Sequence, residues 1–123
     1  MTTTAYTVAV LLDLFCVFLA YRFLFQPGPA AAGYGVPADP RGDAGAYLSV
    51  KGVRDGALGV VGLALLAFAG ARAEAWFMLC VALVPLADTL IVLRHGGAKA
   101  VAFGVHFATA AVVLVSAGLL FAL

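Results

Sequence analysis

Apolar positions run almost unbroken through four stretches of this chain, at about residues 5–25, 46–69, 73–93 and 98–122. Each is close to the roughly 20 residues that a helix needs to cross the hydrocarbon of a bilayer. The breaks near residues 70–72 and 95–97 leave room only for a tight reversal, so the second, third and fourth helices run antiparallel to their neighbours. The one long connection, residues 26–45, is dense in Pro27, Gly28, Pro29, Gly33, Gly35, Pro37, Pro40 and Gly42. Those residues end helices and favour turns. The pattern predicts an all-α, integral membrane, four-helix up-down bundle forming a single transmembrane domain over residues 1–123.

Composition sharpens this. At 65% hydrophobic content in 123 residues, the chain holds more apolar surface than a soluble core of that size could hide. A net charge of +1 with no basic run excludes nucleic acid as a partner. Residues 1–4 lack the positive stretch of a secretory signal, and Asp13 interrupts the first apolar run, so that run reads as a retained helix. Cys16 and Cys80 fall in different helices among apolar neighbours and read as free, packing thiols rather than a disulfide.

Orientation follows from the basic residues. Arg22, Arg41, Lys51, Arg94 and Lys99 belong to the end that carries the long connection, and Arg72 stands alone at the other. The positive-inside rule makes that connection cytoplasmic, giving a multi-pass cell-membrane protein with both termini extracytoplasmic. Trp76 fits an interfacial anchor on the outer side, and Tyr21, Phe23, Phe25 and Tyr47 fit the same role on the inner one.

In the second helix, Gly52, Gly56, Gly59 and Gly62 place missing side chains along one side. Such a seam lets helices approach closely, either within the bundle or across a homodimer.

Charge inside an apolar helix sets the functional question. Counted at about 1.5 Å per residue from the cytoplasmic ends, Asp88 lies about 9 Å deep, Asp55 and His106 about 13 Å, and Asp13 about 18 Å. Inserting one such charge costs about 2.5–3.5 kcal/mol even on the lenient insertion scale. Four left unpaired cost roughly 10–14 kcal/mol, as much as the stability of a whole domain. They are expected to face inward, pair with each other or meet water. Lys51 and Asp55 stand i,i+4 on the second helix, and Lys99, His106, Thr109 and Ser116 form a semi-polar stripe on the fourth. Pro85, one turn before Asp88, is expected to kink the third helix and free a carbonyl near the site. An Arg54–Asp88 ion pair is the expected partner for that aspartate.

Buried ion pairs of this kind can serve packing alone. The chemical alternative is a cytoplasm-facing cavity in which His106 and an aspartate exchange protons, since imidazole changes charge near neutrality and a desolvated carboxyl can keep its proton. Acid and base together can move a double bond, open an epoxide or close a ring. Metal ligation has little support: no spaced motif such as H-E-x-x-H occurs. Neither Ser49 nor Ser116 lies in a G-x-S-x-G elbow, and no G-K-[ST] follows the glycines around Tyr34. Arg41-Gly42-Asp43 reads as a chance tripeptide on the cytoplasmic side. The segment around Tyr34 is a candidate lid over the cavity mouth.

Four segments together carry a resemblance: AAAGYGVPADP (residues 30–40), AYLSVKGVRDGALG (46–59), VPLADTLIVLRHGG (84–97) and GVHFATAA (104–111). The chain resembles a family of small four-helix membrane proteins catalogued as a domain of unknown function. The block around Lys51, Gly52, Arg54 and Asp55 is the most specific part. The layout is also similar, in architecture only, to DoxX-like membrane proteins. The resemblance implies the four-helix fold and points at Arg54, Asp55, Asp88 and His106.

The expectation is a cavity that takes a lipophilic small molecule from the membrane lipid and isomerises or cyclises it. Asp13, Asp88 and His106 supply acid and base, while Lys51, Arg54, Asp55 and Tyr34 hold the substrate beside walls from Phe15, Phe103 and Phe107. No metal or cofactor is called for. A proton-coupled small-molecule carrier, or a structural subunit of a membrane complex, are the readings from other classes.

Overall fold

The structure is a computed structural model that describes residues 1–123. It is all helical: α1 (Thr2–Phe25), α2 (Pro27–Tyr34), α3 (Ala44–Phe68), α4 (Ala71–Val81), α5 (Leu83–Arg94), α6 (Lys99–Val101), a π-helical turn (Ala102–Phe107) and α7 (Ala108–Phe121). Three helical stretches, Thr2–Phe25, Ala71–Arg94 and Lys99–Phe121, are long and apolar enough to cross a membrane. The remaining long helix, α3, matches them in length but carries Lys51, Arg54 and Asp55 near its middle.

Helices α1 and α3 are joined along the glycine seam. A Cβ on Gly52 would stand 3.1 Å from Phe23 and Leu24, and one on Gly56 would stand 2.9 Å from Ala20. Gly59 faces the Asp13 backbone and Gly62 the Asp13 carboxyl. Partner numbers on α1 fall as those on α3 rise, so the two helices are antiparallel with their backbones close. The seam is therefore filled by α1, from inside the same chain.

The α4–α5 stretch breaks at Ala82. Pro85 has no N–H to give the carbonyl of Val81 four residues back, which is the ordinary cause of such a break. One turn further on, Thr89 Oγ1 donates to the Pro85 carbonyl at 2.9 Å. Gly70 and Gly96 make the two short reversals with φ of 91° and 73°, conformations that a side chain disfavours.

Two features depart from the sequence expectation. The connection over residues 26–45 contains a helix, α2. Pro27 opens it in the first turn, where its fixed φ helps and its missing N–H costs nothing. Three alanines carry it onward, and Gly35 ends it at φ 104°. Proline and glycine at these positions delimit a helix instead of preventing one. The fourth apolar stretch also departs: it widens into a π turn at Ala102–Phe107, which adds a residue to the turn and changes the direction in which His106 points.

Packing is inverted relative to a water-soluble domain. Asp13, Asp55, Glu74, Thr89, His106 and Ser116 are all buried, while Leu11, Phe18, Val53, Val60, Phe68, Leu83, Leu90 and Val115 are exposed. At the end opposite α2, small residues (Ala5, Ala9, Ala75, Ala82 and Ala117) and the larger Met78 and Leu120 close the interior.

Candidate functional site

At the α2 end, four helical segments bring polar side chains to one place. Asp88 comes from α5, just past the Pro85 break. Tyr34, the last residue of α2, donates its hydroxyl hydrogen to Asp88 Oδ1 at 2.6 Å. His106, on the π turn, has Nε2 2.7 Å from the backbone carbonyl of the same Tyr34. A carbonyl only accepts, so Nε2 is the protonated nitrogen and donates. In the neutral ring Nδ1 then carries the free lone pair, and it lies 4.0 Å from Asp88 Oδ2. The two rings also pack, with centroids 4.6 Å apart and planes inclined by 57°.

From α3, Lys51 Nζ donates to Asp55 Oδ2 at 2.9 Å, one helical turn along. The same ammonium lies 4.9 Å from the Phe23 ring centre and 5.2 Å from that of Tyr34, in reach of cation–π attraction to both. Burial, joined by the hydrogen bond to Asp88, raises the Tyr34 phenol above its ordinary range, so Tyr34 is the protonated donor of that bond.

These groups edge a cavity of about 320 Å³, near the lower size of small-molecule sites. Its walls are mostly apolar: Leu12, Phe15, Phe18, Leu19, Leu58, Phe77, Met78, Val81, Val84 and Val113 contribute. Polar atoms enter from Asp13, Arg22, Tyr34, Lys51, Asp55, Asp88, His106 and Thr109. Thr109 Oγ1 is committed to the Val105 carbonyl at 2.6 Å.

Of the residues singled out from the sequence, Asp13, Tyr34, Lys51, Asp55, Asp88 and His106 all face this cavity. Arg54 does not. It is exposed, about 100° round α3 from Asp55, and makes no ion pair with Asp88. Tyr34 takes the position on Asp88 expected of Arg54. Phe103 and Phe107 likewise lie outside, packed edge to face on each other with centroids 6.3 Å apart. Phe15 is part of the wall. Lys99 is exposed, so the polar stripe expected of the fourth stretch begins only at His106. Arg41 binds Asp39 on the surface, at 3.1 Å, and holds that carboxyl below its ordinary range. Cys16 lines the cavity and Cys80 is exposed; both thiols are free.

Two residues were not identified from the sequence. Arg22, which the sequence places only at the end that carries the long connection, lines the cavity, and its Nε is buried without a partner. Glu74 is fully buried, and the Asp13 carboxyl lies within hydrogen-bond reach of it. The position of Glu74 after Arg72 and before Trp76 suggests an end-of-helix residue, but its i,i+4 relation to the buried Met78 marks the inward face. No cluster of His, Cys, Asp and Glu forms a metal-binding set.

The fold and site together define a small helical protein with an apolar cavity, polar at one end. Residues 14–120 match the family described as "Domain of unknown function (DUF4267)", and the chain belongs to that family. No curated protein and no solved structure is similar to it.

Proposed function

We propose that this chain is a multi-pass membrane protein, an up-down bundle of four helices, that binds a lipophilic small molecule and rearranges it by proton transfer. Its inverted packing supports the membrane setting: a surface so rich in Leu, Val and Phe is stable against acyl chains and a liability in water. In this reading α3 tolerates Lys51, Arg54 and Asp55 because two of the three charges neutralise each other beside the cavity, and Arg54 reaches toward the headgroups. The excess of basic residues at the α2 end supports a cytoplasmic position for it.

One observation carries the chemical reading. An apolar cavity ends at His106 Nδ1 and Asp88 Oδ2, 4.0 Å apart, with their other polar atoms already bonded to Tyr34. A molecule with an apolar body and one oxygen function fits this division of the walls. Lys51 holds the oxygen, and His106 or Asp88 removes a proton from a carbon beside it. Return of a proton to another atom of the molecule moves a double bond or closes a ring, with no change in composition and no co-reactant.

The test is mass spectrometry of an organic extract of the detergent-purified protein, before and after incubation in D2O. Wild-type protein is expected to retain an oxygen-bearing apolar compound that acquires deuterium at carbon. Asp88→Asn and His106→Ala each lose that deuterium. Extracts with the same bulk phospholipids in wild type and variants, and no carbon-bound deuterium, would overturn the reading.

A further inference from the structure

Glu74 has no part in the chemistry above, yet it is the most completely enclosed charged residue in the molecule, at 0% exposure. Neither of its carboxyl oxygens meets an N–H or O–H donor. The group it meets is the Asp13 carboxyl, itself 3% exposed and with Oδ2 also lacking a donor. No cation answers them. The ion pairs of the chain are Arg41–Asp39, Lys51–Asp55 and His106–Asp88. Arg72, near Glu74 in sequence, is exposed.

The surroundings make room for this pair and add no charge. From α3, Gly62 presents bare backbone to the Asp13 carboxyl, in space that a Cβ would take. Cys16, a turn along α1, is a free thiol. Two ionised carboxylates in contact, both buried and with no cation paired to them, repel without compensation. Adding one proton resolves both difficulties: it removes the repulsion and turns one carboxyl into the donor that the other lacks.

We infer that Asp13 and Glu74 form a proton-binding site, a carboxylic acid–carboxylate pair that holds one exchangeable proton between them at the deep end of the cavity. Asp13 lines the cavity and Glu74 stands behind it. Gly62 lies seven residues beyond Asp55 on α3, which places the pair roughly 10 Å of helix axis from the Lys51–Asp55 bond. The cavity thus has a proton donor at one end and proton acceptors, His106 and Asp88, at the other. Where it serves the proposed rearrangement, the Asp13 O–H bond breaks as an atom of the bound molecule gains the proton. The far end removes a proton from a different atom and releases it to solvent, from which the pair is recharged. The shared proton itself rests only on the arrangement of Asp13, Glu74 and Gly62.

Infrared difference spectroscopy of purified protein in H2O and D2O tests it without knowledge of a substrate. Wild type is expected to show the carbonyl stretch of one protonated carboxyl, shifted down in D2O. In Glu74→Gln and in Asp13→Asn the amide becomes the donor, so the remaining carboxyl ionises and the band disappears. No acid band in wild type, or a band that survives in both variants and goes with Asp55→Asn or Asp88→Asn, overturns the site. Labelling of wild-type protein with dicyclohexylcarbodiimide, which attacks protonated carboxyls in apolar surroundings, needs no variant. Peptide mapping is expected to find the adduct on Asp13 or Glu74, and adducts confined to other carboxyls count against the pair. Absence of the acid band from wild-type protein whose bound molecule still takes up deuterium would sink this site and leave the proposed rearrangement standing.

Discussion

Tyr34 and His106 lie 72 residues apart and hold each other at two points: the imidazole donates to the tyrosine's backbone carbonyl at 2.7 Å, and the two rings pack at a tilt with centroids 4.6 Å apart. The phenol of that tyrosine also fixes Asp88. One residue of α2 thus sets the position of both His106 and Asp88. It anchors the imidazole through its main chain and the carboxylate through its side chain.

That division predicts unequal effects of substitution. Tyr34→Phe removes the bond to Asp88 and keeps the carbonyl that orients His106. It should cost about 1.5–3 kcal/mol of stability, the usual scale for a hydrogen bond to a charged group. Deuterium incorporation should fall roughly 10-fold, because an unrestrained Asp88 is less often in position. Tyr34→Ala removes the ring contact as well and should lower the thermal midpoint further. Denaturant titration in detergent distinguishes the two.

The raised Tyr34 phenol gives a pH signature. Its folded form holds the proton more tightly than the unfolded chain, so the contribution is complete below the free phenol value of about 10. Above that pH the unfolded state ionises first, and stability should decline as pH rises. The Tyr34→Phe protein should lack this component of the decline. Parallel unfolding curves for both proteins from neutral to strongly alkaline pH would remove the basis for the prediction.

Along the α1–α3 seam the cost of a methyl group should follow the available space. Gly62→Ala meets the Asp13 carboxyl and should destabilise by about 1–3 kcal/mol, as overpacked sites do. Gly33→Ala, with no atom within 4 Å, should be neutral or slightly stabilising in helix α2. Thermal midpoints of the two variants provide the comparison.

Cations near the site should divide by where they point. Lys51→Ala strands Asp55 in the cavity wall and should reduce retention of the bound compound at least 10-fold. Arg54→Ala, outside the cavity, should change it less than about 2-fold. Equal losses from both variants would mean that Arg54 reaches the compound after all.

The apolar runs, the inward turn of Asp13, Asp55, Asp88 and His106, and the break at Pro85 could be read from the chain because each follows from burial cost or a missing backbone donor. Helix α2 could not be read in the same way. Pro27 and Gly35 are breakers in mid-helix and good termini at the ends, and the chain does not say which side of a terminus is ordered until Ala30 and Ala31 have something to pack on. The π turn escaped for another reason. A helical wheel assumes one constant angle per residue, which put Lys99 and His106 on one stripe, whereas one wider turn places Lys99 outside and His106 inside. Arg54 was paired with Asp88 on charge alone, and a tyrosine 20 residues earlier in the chain proved the better-placed donor. Glu74 lies in the first turn of α4, where access to water is the ordinary expectation, and only its spacing from Met78 marks the inward face.

The wide turn at Ala102–Phe107 has a consequence for how such a protein could change over time. A lost or gained residue there swings the imidazole around its axis, while Val113, Ala117 and Leu120 keep their seats against α4. Aim and scaffolding are adjusted by separate parts of one rod, so a lineage can re-point its imidazole without rebuilding the walls that hold it.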